Sequence, residues 1–212
     1  MRESFETGEH YHIYNRGVDK RHIVSDHYDS NRFLKSMEYF NSTEPIGSLY
    51  QLSFEENKEK SKNKLVEIVS YCLNPNHYHF ILRQLVDKGI SEFMKRMNGG
   101  YTLYFNYRTK RTGSLFQGKF KAKYVGDDDY LLRLSAYVNL NNQVHQLRGP
   151  TAQLVRSSWE CYTSRRKGIC NPSLVLRQFK NRKHYENFAR EALSQMIARK
   201  ESEKELASLM LE

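Results

Sequence analysis

Two apolar, β-branched runs that meet at a three-residue turn constrain this chain more than any other feature. Residues 65–73 (LVEIVSYCL) and 77–85 (HYHFILRQL) flank Asn74-Pro75-Asn76, a turn signal. Strands joined by so short a turn pair antiparallel, so the sheet that holds them is expected to be antiparallel. Residues 10–17 (HYHIYNRG) have strand composition, and residues 26–39 place Tyr28, Phe33, Leu34 and Met37 at helical spacing. Residues 46–54 read as a further strand, and 55–64 (EENKEKSKNK), with no apolar residue, read as a solvated hairpin tip or loop.

The same reading continues past the hairpin. Residues 90–108 suit a long helix interrupted at Gly99-Gly100, because paired glycines weaken a helix interior. Residues 115–125 (LFQGKFKAKYV) alternate basic and apolar side chains, the pattern of a half-exposed strand. Asp127-Asp128-Asp129 supplies a helix start, with carboxylates at the favourable end of the dipole. The helix is expected over 130–144, burying Leu131, Leu134, Val138 and Val144. A loop region follows Gly149-Pro150 to about Pro172, and then helix from Leu174 to the charged end. Interleaved strands and helices with hairpins predict an α+β fold, a ferredoxin-like sandwich with a central antiparallel sheet, helices on its faces and a helical C-terminal extension. At 212 residues the chain suits one sizeable domain, taken as 1–160, with 161–212 as a mainly helical extension.

Charge narrows the partners. Lys and Arg number 34 against 24 acidic residues, a formal net charge of +10, and nucleic acid is the default polyanion for such a balance. No apolar run approaches the roughly 18 residues needed to span a bilayer, so no membrane partner is expected. The start, residues 1–9, lacks the basic head and apolar core of a secretory signal, which predicts a cytoplasmic protein. Cys72, Cys161 and Cys170 are odd in number and form no CxxC pair, so neither a disulfide framework nor a structural zinc site is expected. Residues 95–124 contain Lys95, Arg96, Arg108, Lys110, Arg111, Lys119, Lys121 and Lys123 and not one Asp or Glu, an electrostatic footprint for phosphates. The plain alternative is a solvated surface. Many of the 15 Tyr and 11 Phe lie beside basic residues and could stack on unpaired bases, although most belong in a core.

Two short spacings carry chemistry. On a strand, residues two apart share a face, so His77 and His79 present two imidazoles together while Tyr78 faces away. Such a pair can bind one divalent cation, but taken alone a His-x-His is more often a pair of satisfied structural histidines. On the helix at 130–144, Tyr137 and Asn141 stand four apart and share a face, offering a hydroxyl and an amide carbonyl. Taken alone, that tyrosine reads as core and that asparagine as local capping.

Four blocks change the weighing: Tyr11-His12-Ile13-Tyr14-Asn15-Arg16-Gly17, residues 71–79 (YCLNPNHYH), residues 113–121 (GSLFQGKFK), and Tyr130-Leu131-Leu132 leading to Tyr137-Val138-Asn139-Leu140-Asn141. In this order they resemble the HUH endonuclease superfamily, specifically the single-tyrosine insertion sequence 200-like transposases and their REP-associated relatives, over residues 10 to about 160. The resemblance implies that His77 and His79 hold Mg²⁺ or Mn²⁺, that Tyr137 is the nucleophile and that Asn141 completes the metal site. It implies cleavage and rejoining of single-stranded or hairpin DNA through a 5′-phosphotyrosine, with no nucleotide cofactor. Arg16, Lys95, Arg96, Arg108, Arg111, Lys119, Lys121 and Lys123 are the expected DNA contacts. Asn142 departs from the REP-associated pattern, which carries proline there. Relatives include obligate dimers with composite sites, so a homodimer stays open. Two rivals also stay open: a catalytically silent protein that binds hairpin DNA or RNA, and a metal-dependent hydrolase that activates water while Tyr137 packs in the core.

Overall fold

The computed structural model describes residues 4–44, 47 and 63–209, with side chains described as far as 202. All but residue 47 of the strand expected over 46–54, and all but residues 63 and 64 of the charged stretch 55–64, lie outside the described residues. The elements that position the site run β1 (His10–Arg16), α1 (His27–Tyr39), β2 (Val66–Leu73), β3 (His77–Gln84), α2 (Gly89–Thr109), β4 (Lys121–Val125), α3 (Asp128–Asn139) and α4 (Asn141–Val144). Short pieces follow, α5 (Pro150–Gln153), β5 (Arg156–Ser157), α6 (Trp159–Thr163) and α7 (Ser173–Leu176), before the long α8 (Arg182–Leu209).

The strands form one sheet in the order β4-β1-β3-β2-β5, every pairing antiparallel. Without β5 this is the βαββαβ sandwich expected from the sequence, and β3 is its middle strand. The turn between β2 and β3 is closed by Asn74 N–H on His77 O at 2.8 Å. It is also pinned from outside, because Ile23 N and Val24 N donate to Pro75 O and Gly17 N donates to Asn76 O. Gly17 has to be glycine here, since a Cβ would sit 2.3 Å from Arg21 O.

Side chains alternate across the sheet and divide the molecule into layers. Tyr78 and Phe80 face α1 and α2, where Phe33 meets Tyr78 at 5.6 Å and Tyr101 at 4.9 Å between ring centroids, and Tyr78 donates to Asn98 Oδ1 at 3.0 Å. His77 and His79 face the other way, toward α3. Helix α8 packs on the outside of α3 through buried Tyr185, whose hydroxyl accepts from Asn139 Nδ2 at 2.8 Å. Helix starts follow the sequence: Asp26 accepts from Asp29 N at 3.0 Å and Asp127 from Tyr130 N at 2.6 Å. Leu131, Leu134, Val138 and Val144 are buried, as their spacing predicts.

Four local expectations are corrected. Helix α2 runs unbroken through Gly99-Gly100; Gly100 is small because the Phe40 ring packs there, and a Cβ would come within 2.7 Å of it. Only Lys121–Val125 of residues 115–125 is strand: Leu115 and Phe116 are buried, Phe116 bridges Gly17, and Gly118 at φ +69° turns the chain. The helix starts at Asp128, as the Asp127-Asp128-Asp129 signal predicts, but instead of running to Val144 it breaks at Leu140 (φ −109°, ψ 17°), so Asn141 begins a separate turn. The loop expected to Pro172 contains β5 and α6, and the terminal helix comes in two pieces, α7 and α8. The three cysteines are free and buried. Among the described residues no helix is long and apolar enough to cross a membrane.

Candidate functional site

The site is built where the middle strand of the sheet meets the break between α3 and α4. Alternation along β3 puts the imidazoles of His77 and His79 on one face, their ring centroids 5.3 Å apart and the rings nearly perpendicular. The Tyr137 ring stands edge-on to His79, 5.4 Å between centroids. Across the helix break, Asn141 is fully buried with its Oδ1 2.9 Å from His77 Nε2. Four residues from two distant stretches of chain therefore share one face.

The histidine nitrogens have distinct neighbours. His77 Nδ1 lies 2.6 Å from Asn76 Oδ1, which can only accept; in the tautomer that bonds it, Nδ1 carries the proton and Nε2 keeps its lone pair. His79 Nδ1 lies 2.9 Å from His12 Nε2, on the neighbouring strand β1. The His79 ring also stacks on Tyr14, and His145 at the end of α4 meets His77 edge-on at 4.8 Å. Burial disfavours charge on the His77, His79 and His12 rings. It holds His77 below the ordinary histidine value, with the nearby Asn141 side chain opposing, and His79 well below it, with the neighbouring histidines adding to the effect. His12 is pushed down to about 4, by burial first and Lys123 second. These imidazoles are neutral at pH 7, the form that binds metals. Burial raises the Tyr137 phenol, and the neighbouring Asn141 side chain pulls the other way.

Two imidazole nitrogens and an amide oxygen fit a divalent cation by donor chemistry. Two buried acceptors, His77 Nε2 and Asn141 Oδ1, only 2.9 Å apart, fit it by placement. Asn141 Nδ2 is buried with no hydrogen-bond partner, so that side chain is not satisfied by the protein alone. Among the described residues no group of three or more His, Cys, Asp or Glu is arranged to hold a metal.

The basic run separates into two groups. Lys121 pairs with Tyr14 and Lys123 with His12 in the β1–β4 register, so both point to the histidine face, and both are exposed. Lys123 Nζ also lies 4.7 Å above the Tyr130 ring. Lys119 is exposed on the loop before β4, and exposed Arg16, in register with His77, donates to Gln117 Oε1. The other four sit on or just beyond α2, against the opposite face of the sheet. Arg96 is bound to Glu92 Oε1 at 2.7 Å and to Ser42 O at 2.7 Å, and Arg108 pairs with Asp26 and with buried Asp29. Lys95 lies 3.6 Å from Glu92 and Arg111 donates to Asn106 Oδ1 at 3.2 Å. Sequence reasoning did not find His12, Asn74, Asn76 or His145. The first could have been noticed as one more histidine on the face of a strand, and the asparagines as polar residues flanking the turn.

A βαββαβ sandwich whose middle strand turns a histidine pair toward a helix tyrosine is the arrangement expected of an HUH-type transposase domain. More particularly, residues 47–143 match the family model described as Transposase IS200 like. The matched segment includes both histidines, Tyr137 and Asn141. Among solved structures, the chain is similar to a REP-associated tyrosine transposase bound to a REP hairpin, at 11% identity and a TM-score of 0.47, over 76% of this chain and 82% of that one. No curated protein matches the chain.

Proposed function

We propose that the protein is a metal-dependent transposase-type endonuclease that cleaves and rejoins single-stranded, hairpin-flanked DNA. The observation that carries this reading is the meeting of Tyr137 and Asn141 with His77 and His79 on one face of the sheet. His77, His79 and Asn141 would hold Mg²⁺ or Mn²⁺, and a bound ion supplies Lewis acidity toward a phosphate oxygen and favours the phenolate. Tyr137 Oη attacks phosphorus as its proton leaves; the bond to the 3′ oxygen breaks, and that oxygen takes up a proton. The products are a 5′-phosphotyrosine and a free 3′-hydroxyl. Because one phosphodiester is exchanged for another, attack by a new 3′-hydroxyl rejoins the strand without a nucleotide cofactor.

The chain's own residues do the rest of the work. The buried surroundings of Tyr137 keep bulk water from competing with the phenol. Arg16, Lys119, Lys121 and Lys123, exposed around the same face, would hold the DNA backbone, with aromatic neighbours available to unpaired bases. Labelled single-stranded DNA carrying a hairpin, incubated with the protein and Mn²⁺ and run on a denaturing gel, should yield a protease-sensitive covalent adduct that Tyr137→Phe abolishes. Cleavage with no adduct would instead mean attack by water, and binding with neither would mean a silent hairpin-binding protein.

A further inference from the structure

Asn74 has no part in that reading, yet its side chain is fully buried and stands at the centre of the site. Asn74 Nδ2 lies 2.9 Å from His77 Nε2 and 2.6 Å from Asn141 Oδ1, which are themselves 2.9 Å apart. The three atoms form a nearly equilateral triangle. Asn141 Oδ1 is a carbonyl oxygen and can only accept, and His77 Nε2 also accepts in the tautomer that donates from Nδ1 to Asn76 Oδ1. Buried acceptors this close need a donor or a cation between them. The Asn74 amide has two N–H groups and gives one to each.

The exchange of donor for cation is built into the same group. Turning the Asn74 amide over about its Cβ–Cγ bond brings Oδ1 to the corner that Nδ2 holds. Oδ1 then gives up a 3.8 Å contact from the Cys72 thiol, a weak hydrogen bond. The triangle would consist of three acceptors, one nitrogen and two oxygens. Its edges, 2.6 to 2.9 Å, are close to the roughly 3 Å between adjacent ligands of an octahedral ion with metal–oxygen bonds of about 2.1 Å.

We propose that Asn74 is a further ligand of the divalent cation: its NH₂ bridges His77 and Asn141 in the metal-free protein, and its carbonyl turns in when the ion binds. The proposal rests on the reading of His77 and Asn141 as metal ligands. The full-length protein, without DNA, is titrated with Mn²⁺ while the signal of the free ion is followed by electron paramagnetic resonance. Asn74→Leu, which keeps the branched shape and removes the carbonyl, should bind Mn²⁺ on the order of tenfold more weakly. Asn74→Asp, which presents an anionic oxygen and no bridging N–H, should bind it on the order of tenfold more tightly. Mn²⁺ binding by folded Asn74→Leu as tight as in the unaltered protein, or tighter, would overturn the proposal, since the amide would then be a plug or a spacer. If Asn74→Leu does not fold, the Asn74→Asp comparison decides, and equal or weaker binding there overturns it. No binding by the unaltered protein, or binding that survives His77→Ala, would remove the underlying reading and the proposal with it.

Discussion

The two halves of the site are held in different ways. His77 and His79 belong to the middle strand of the sheet, with β1 paired on one side and β2 on the other, and each ring is hydrogen-bonded by a neighbour, Asn76 or His12. Tyr137 and Asn141 stand on either side of a helix break at Leu140 and are held from outside. Tyr185 of α8 bonds Ser135 at 3.2 Å and Asn139 at 2.8 Å, two residues before and after Tyr137, and Ser158 Oγ donates to Asn139 Oδ1 at 2.5 Å. Farther along α8, Lys200 donates to Val144 O at 3.2 Å and to His145 Nδ1 at 2.9 Å. The strand half is thus fixed by sheet register, while the helix half depends on the C-terminal extension. That extension packs against the site instead of trailing from it.

The strongest way to break this comparison is to remove the bolt. Tyr185 is fully buried, so Tyr185→Ala should cost roughly 3–5 kcal/mol of stability in denaturant unfolding, from the lost packing and the orphaned polar groups of Ser135 and Asn139. In hydrogen exchange under native conditions, the amides of α3 should lose protection while those of β3 keep theirs. Equal loss in both elements would show that the halves are not separately held.

A smaller effect sharpens the strand side. The folded state holds His12 at about 4, against 6.5 in the unfolded chain, so between these values the unfolded chain binds more protons. Stability from this group is complete above about pH 6.5 and is lost as pH falls toward 4, by up to about 3 kcal/mol. His79 and His77 act in the same direction. Unfolding midpoints at pH 7.5 and 4.5 should therefore differ, and His12→Gln should reduce the difference. A profile unchanged by that substitution would mean that His12 is not the group that resists charging.

What the sequence made legible was local. The period of two on β3 separates His77 and His79 from Tyr78, and the spacing of four places Tyr137 and Asn141 on one side, because both follow from backbone geometry alone. The fold followed from the turn at Asn74-Pro75-Asn76 and the order of periodic segments. What was hidden is non-local. His12 reaches His79, and Asn74 reaches Asn141, across 67 residues of chain. Gly99-Gly100 reads as an interruption, yet Gly100 makes room for Phe40. The helix break at Leu140 has no glycine or proline to announce it. An uninterrupted basic run conceals Arg96 and Arg108, whose acidic partners lie elsewhere in the fold or outside the run.

The central claim is that the helix half supplies the attacking oxygen, and peptide mapping of the DNA adduct tests it most directly. After Mn²⁺-dependent reaction with single-stranded hairpin DNA, nuclease trimming and protease digestion, mass spectrometry should find the 5′-nucleotide remnant on the peptide containing Tyr137, attached to Tyr137 itself. A remnant on Tyr130 or any other residue, or strand cleavage that leaves every peptide unmodified, would contradict the account.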